Sequence, residues 1–240
     1  CILEKGKRTR EQEEELVTEF VIALISECCE FNYEYPNTKE TPEYISIKAD
    51  KGWADLMSEK IEYVASSDTQ PKLIFPGAFN PLHDGHEAMS KLAEKETGAK
   101  TFFELCIQNV DKPPLSYHQI SKTINQFNST QDWVLTKAGK FSDKAKLFPN
   151  STFIIGADTL VRIFDERFYA SRSDMLAQFD IFNKNNNKFL VFGRKYQDKF
   201  IELKDVQLPD SISSLFKGFG ENIFREDISS SSIRQENSEE

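Results

Sequence analysis

Two histidines three residues apart, His83 and His86, stand where an apolar run gives way to an amphipathic one, in Lys72–Met89, KLIFPGAFNPLHDGHEAM. The apolar stretch ends in Pro-Gly, and no charge follows until Asp84. The pattern predicts strand, turn and helix, with both imidazoles at the helix N-terminus. Helix-start N–H groups and the helix dipole favour an anion there. Imidazole donors beside them can stabilise charge on a phosphoryl group in transit. Gly77 and Gly85 allow backbone to approach a ligand closely. A zinc site would need further ligands, and the loop offers only Asp84 or Glu87, so no metal site is assigned to the protein. His118, the third histidine, follows DKPPLSY and reads as a helix-surface residue.

Other residues could serve the same chemistry. Gly156 and Asp158 follow the apolar FII. A small residue at a strand end admits a ribose or base, and a carboxylate accepts hydrogen bonds from sugar hydroxyls; Asp158 can also cap a helix. Arg194 ends FLVFGR, where it could touch a phosphate or base or form a structural pair. Ser229 to Ser232 precede Ile233 and Arg234. Serines at a helix start present hydroxyls and amides to an anion, and an arginine one turn on adds charge.

Three stretches together carry a family resemblance. GAFNPLHDGH resembles the GxFxPxHxGH signature of the nucleotidyltransferase superfamily, FIIGADTL resembles the strand-plus-GAD segment of the nicotinamide or nicotinate mononucleotide adenylyltransferases, and ISSSSIR resembles their ISSTxIR signature. They occur in the expected order over about Lys72 to Arg234. The resemblance implies a Rossmann-like α/β/α sandwich with a parallel sheet. It implies adenylyl transfer from ATP to a mononucleotide phosphate, in NAD biosynthesis, with His83, His86 and Lys112 as catalytic groups. Gly77, Ala78, Phe79, Asn80, Gly156, Asp158, Arg194, Ser230, Ser231 and Arg234 would contact ATP or substrate, and Mg2+ would bridge phosphate oxygens. Where the family often has a tryptophan after GAD, this chain has Arg162, Phe164, Phe168 and Tyr169, which leaves the acceptor open. A pantetheine-phosphate adenylyltransferase, a cytidylyltransferase-like enzyme and a non-catalytic nucleotide-binding protein of the same fold stand as alternatives.

The elements that must position these residues alternate after Pro71. Strands are expected at Leu73–Phe75, Thr101–Gln108, Trp133–Thr136, Phe153–Ile155 and Phe189–Phe192, and helices at Glu87–Glu96, Ser116–Phe127 and Met175–Phe182. A βαβ rhythm of this kind gives a parallel sheet with helices on both faces and ligands beyond the carboxyl ends of its strands. Ahead of it, Thr9 and Gln12 read as a capping box. Leu16, Phe20, Leu24 and Cys28, with Val17 and Val21 alongside, predict one apolar helix face. Tyr44–Lys48 could be a short strand, Ser66–Pro71 reads as a linker, and the asparagines from Asn183 to Asn187 as a loop. Residues 1–70 are thus expected as an N-terminal helical segment and linker, and 71–240 as the nucleotidyltransferase domain. The first segment faintly resembles the final helix of the competence-damage-inducible family's deamidase domain, as the remnant of a preceding domain would. A start at Cys1 suits a piece of a longer protein.

The chain has 240 residues and a formal charge of -9. That acidity argues against a surface for nucleic-acid polymers. A small anionic substrate can still be held by local cations and amides, and the family resemblance implies ATP and a phosphorylated small acceptor as partners. No apolar run approaches the ~20 residues that span a bilayer, and no secretory signal is visible. The four cysteines form no CxxC pair, so a reduced, cytoplasmic setting is expected, the nucleus also being open. Oligomeric state is not fixed, a homo-oligomer included.

Overall fold

The computed structural model describes residues 3–40, 48–108, 113–196 and 199–239. Two compact units divide between Ile47 and Lys48. In the first, helix α1 (Arg10–Cys28) starts on a complete Thr9/Gln12 capping box. Its apolar residues split: Leu16 and Ala23 are buried, whereas Val17, Val21 and Leu24 are exposed.

The second unit holds α2 (Lys51–Met57), β1 (Tyr63–Ala65), β2 (Leu73–Pro76), α3 (Asp84–Thr97), β3 (Thr101–Cys106), α4 (Tyr117–Ile124), β4 (Asp132–Thr136), α5 (Phe141–Leu147), β5 (Thr152–Gly156), α6 (Ala157–Ile163), α7 (Arg172–Lys184), β6 (Lys188–Phe192), the hairpin β7 (Arg194–Tyr196) and β8 (Lys199–Ile201), α8 (Asp210–Ser213), β9 (Phe216–Phe219) and α9 (Ser230–Glu239). Seven strands form one sheet in the order β1-β4-β3-β2-β5-β6-β9. All pairings in it are parallel except β1 with β4. Counted from β2, the parallel strands run 3-2-1-4-5-6, the Rossmann order, and that order reverses between β2 and β5.

Apolar side chains alternate through the central strands. Leu73 and Phe75 join the cluster under α3, with Met89 and Ala93, while Ile74 joins the cluster under α5, α6 and α7. Phe153 and Ile155 point to the second cluster and Ile154 to the first. Both sheet faces are therefore buried, which explains near-continuous apolar strands in place of an alternating pattern. Loop signals set the helix ends: Gly98, at φ 69°, closes α3, and a Ser116/Gln119 capping box opens α4.

Several elements escape the sequence pattern. α2 and β1 lie within residues read as a polar connection, yet β1 pairs with β4, and the Ser66 N–H donates to the Trp133 carbonyl at 2.9 Å. Residues 48–70 thus belong with the sheet-bearing unit, ahead of the expected boundary at 70. Segments of three to seven residues, such as β1, α2, α5 and β9, are too short to show periodicity. Asn183 lies within α7, and the loop begins at Asn185. The expected strand at Tyr44–Lys48 falls almost wholly outside the described residues.

Candidate active site at the switch point

The crevice where strand order reverses is bounded by the ends of β2 and β5. β2 leads into the loop Gly77–Leu82, and His83 caps α3 with its own carbonyl, which accepts from the N–H groups of His86 at 2.9 Å and Glu87 at 3.3 Å. The two imidazoles stack, their centroids 3.7 Å apart and their planes 27° from parallel. The His83 N–H donates to His86 Nδ1 at 3.3 Å. A neutral His86 therefore carries its proton on Nε2, as a hydrogen-bond donor.

Electrostatics keep it neutral. The His86 ring meets Phe75 and Phe79 edge-on, at 5.7 and 5.2 Å. Burial, with smaller contributions from His83 and Arg194, pushes its pKa down to about 3. Burial and Arg194 also lower that of His83, against an opposing pull from Asp84. Both ring nitrogens of His83 are buried without a hydrogen-bond partner in the protein. Buried polar atoms are seldom left so, and a pair of them at a cleft is free to bond a water or a ligand that enters it.

The cleft is lined by His83, His86, Gly156 and Arg194, with Phe224 and Ile228 from the far end of the chain. Gly156 leaves room for Asp158, because a Cβ there would collide with Asp158 Oδ1. That oxygen is buried and unpartnered, 4.0 Å from Arg194 Nε. At Gly85, a Cβ would lie 3.0 Å from Ile228 Cγ2 and 3.1 Å from the His83 ring, so a side chain there would crowd the C-terminal segment.

Side chains hold the loop itself. Phe79 is buried at φ 45°, a region unusual for a bulky residue, and its ring fills the space above Gly77. The Asn80 carbonyl accepts from Arg234 Nη1, and the Pro81 carbonyl accepts from Ser230 Oγ at 2.9 Å. Arg234 Nη2 also donates to Ser231 Oγ at 3.2 Å. Ser229 and Ser232 bond reciprocally at the start of α9. The C-terminal motif thus sits on the histidine loop. Ala78 lies in the same loop, and His118 is exposed on α4. Lys112 lies outside the described residues. Gln126, just beyond α4, was not foreseen: its Nε2 donates to the Phe79 carbonyl and its Oε1 accepts from the Leu82 N–H, both at 2.9 Å. It belongs to no motif, and only the fold brings it to the loop. Glu226, an exposed residue at the cleft edge, was also not foreseen.

Among the described residues, no group of three His, Cys, Asp or Glu side chains could hold a metal ion. No helix among them is long and apolar enough to cross a membrane.

A sequence profile for the family described as Cytidylyltransferase-like matches residues 74–236, which include all three motifs. The chain belongs to the cytidylyltransferase-like family. This agrees with the resemblance to nucleotidyltransferases, and the Rossmann order of the sheet accords with it. A Schizosaccharomyces pombe protein provisionally named nicotinamide mononucleotide adenylyltransferase is 28% identical over 131 residues, 49% of this chain and 50% of that protein. The chain spans about half the length of this curated relative. A solved structure of Plasmodium falciparum nicotinic acid mononucleotide adenylyltransferase complexed with NaAD is 17% identical, covering 70% of this chain and 83% of that one, with a TM-score of 0.36. Within this cytidylyltransferase-like chain, His83 and Asp158, whose buried polar atoms accept or donate no hydrogen bond, both lie in the family's motifs.

Proposed function

We propose that the chain transfers the adenylyl group of ATP to the phosphate of nicotinamide or nicotinate mononucleotide, releasing pyrophosphate. An oxygen of the acceptor phosphate attacks the α-phosphorus, a P–O bond forms, and the bond to the bridging oxygen breaks as pyrophosphate leaves. The observation that carries this reading is the neutral, stacked His83/His86 pair at the switch crevice, with both His83 ring nitrogens lacking protein partners.

Neutral imidazoles can donate N–H bonds to phosphate oxygens and gain strength as charge shifts along the transfer coordinate. Arg194 supplies a fixed positive charge at the same cleft. Asp158 Oδ1 has spare acceptor capacity for a ribose hydroxyl. Ser230, Ser231 and Arg234 shape the loop that meets the triphosphate, and Lys112 adds a cation. Magnesium would be carried mainly by the nucleotide, with few protein ligands, and would supply neutralisation of the phosphate charge. No covalent intermediate is required: alignment for in-line attack can supply ~7–11 kcal/mol.

Incubation with ATP, magnesium and a panel of mononucleotides, followed by mass identification of the products, tests the proposal. A dinucleotide from nicotinamide or nicotinate mononucleotide supports it. No product from any mononucleotide overturns it. The family description favours one further arm, CTP in place of ATP: a cytidylyl product would move the donor assignment.

A further inference from the structure

Four consecutive backbone groups of the histidine loop, the carbonyls of Phe79, Asn80 and Pro81 and the N–H of Leu82, are satisfied by remote side chains. Two of the four belong to Gln126. Its amide spans the turn Phe79–Leu82, taking the place of the direct bond from residue i+3 to residue i that closes an ordinary β-turn. Pro81 has no N–H to offer. Gln126 also donates to the Thr123 carbonyl at 3.3 Å, and its own N–H bonds the same carbonyl at 3.2 Å. The amide is thereby anchored to the end of α4.

We propose that Gln126 is a positioning residue for adenylyl transfer, its carboxamide fixing the loop that delivers His83 and His86 to the reacting phosphates. The inference rests on the adenylyltransferase reading. Its geometry is direct. The clamped Leu82 N–H is one peptide before His83, and the His83 N–H in turn holds His86 Nδ1. A rotation at Leu82 therefore tilts both rings. Phe79, the other clamped residue, packs its ring against His86 and occupies a left-handed backbone conformation that the loop must hold in place. Gln126 touches neither histidine, so it acts through the backbone. Glutamine suits this role, since a single planar group supplies one donor and one acceptor.

The test compares the full-length protein with Gln126→Leu, which removes both bonds, and Gln126→Glu, which keeps an acceptor for the Leu82 N–H but sets a carboxylate against the Phe79 carbonyl. Turnover, KM for each substrate, melting temperature and the imidazole 15N signals are measured for all three. A misplaced catalytic group costs on the order of a hundredfold, so kcat should fall about tenfold to a hundredfold in both variants. KM should stay within about threefold, as expected for an interaction realised mainly in the transition state. The His83 and His86 signals should move as the pair loosens. Wild-type turnover with unmoved imidazole signals in folded Gln126→Leu overturns the proposal, as does a loss of kcat that merely follows melting. Should Gln126→Leu not fold, Gln126→Asn, a methylene too short to bridge both groups, serves the same comparison. If the wild-type protein shows no adenylyl transfer, the adenylyltransferase reading fails separately. The imidazole signals then decide whether Gln126 sets the pair: movement upholds that role, and no movement rejects it.

Discussion

Arg234 donates from Nη1 to the carbonyl oxygen of Asn80, joining α9 to the histidine loop across 154 residues of chain. A charged donor on a neutral carbonyl contributes up to ~1.5–3 kcal/mol, less where the bond is solvent-exposed, as this one is. The guanidinium therefore links the histidine loop to the serine-rich start of α9, so the two ends of the family match act on one site.

Replacing Arg234 by alanine should raise the ATP dissociation constant about tenfold to a hundredfold, the ~1.5–3 kcal/mol of a charge-assisted hydrogen bond to the triphosphate. Affinity for the mononucleotide should fall less, because the acidic chain repels the triphosphate most and depends most on local cations to hold it. Calorimetry with each ligand alone decides this. Equal losses for both ligands would reassign Arg234 to loop architecture alone.

His86→Ala should cost ~2–4 kcal/mol of transition-state stabilisation, the range for one lost charge-stabilising donor. It should also lower the melting temperature. The ring packs between Phe75 and Phe79, and its loss leaves a cavity worth ~1–3 kcal/mol. Steady-state rates measured well below the melting temperature separate the two effects. A folded His86→Ala enzyme with wild-type kcat would remove His86 from catalysis.

Acid should destabilise the fold over a defined window. Unfolded, His86 takes a proton near the ordinary value of 6.5; folded, it resists until about 3. Between these values the unfolded state binds more protons, so stability declines as pH falls from about 6.5 towards 3. The lowered pKa of His83 acts in the same direction. Urea midpoints across this range should slope less steeply in His86→Gln, which cannot titrate. Matching slopes would mean that the acid sensitivity arises elsewhere.

The division between Ile47 and Lys48 predicts where a shortened chain still works. A chain beginning at Lys48 should fold and bind ATP with unchanged affinity. One beginning at Pro71 loses β1, the antiparallel partner of β4, together with Leu56, which is buried among Leu105, Ile120 and Leu135. It should precipitate or melt earlier by several degrees, since each ~1 kcal/mol shifts melting of a domain this size by about 2–4 °C. Thermal scans of the two chains test the boundary, and a stable chain from Pro71 would restore it to residue 70.

Much of the site was legible in the sequence because its chemistry depends on residue type at short spacing. His83, Gly85 and His86 fit a strand, a turn and a helix start, and a Cβ at Gly85 or Gly156 would crowd the neighbours packed there. The central strands follow from continuous apolar runs, and α3, α4 and α7 from stretches long enough to show a helical period. What the sequence could not determine was who holds whom. The seat of Ser230 and Arg234 on the Asn80–Pro81 carbonyls and the Gln126 amide across Phe79–Leu82 both join residues brought near only by the fold. The same holds for the buried pair of Lys144 with Glu104, at 2.7 Å, which no local pattern marks. Short elements such as β1 are fixed by pairing, not propensity, because three residues gain their stability from the strand beside them. Local chemistry is written in types and spacing, but partners across the fold depend on packing, which is decided only when the whole chain has closed.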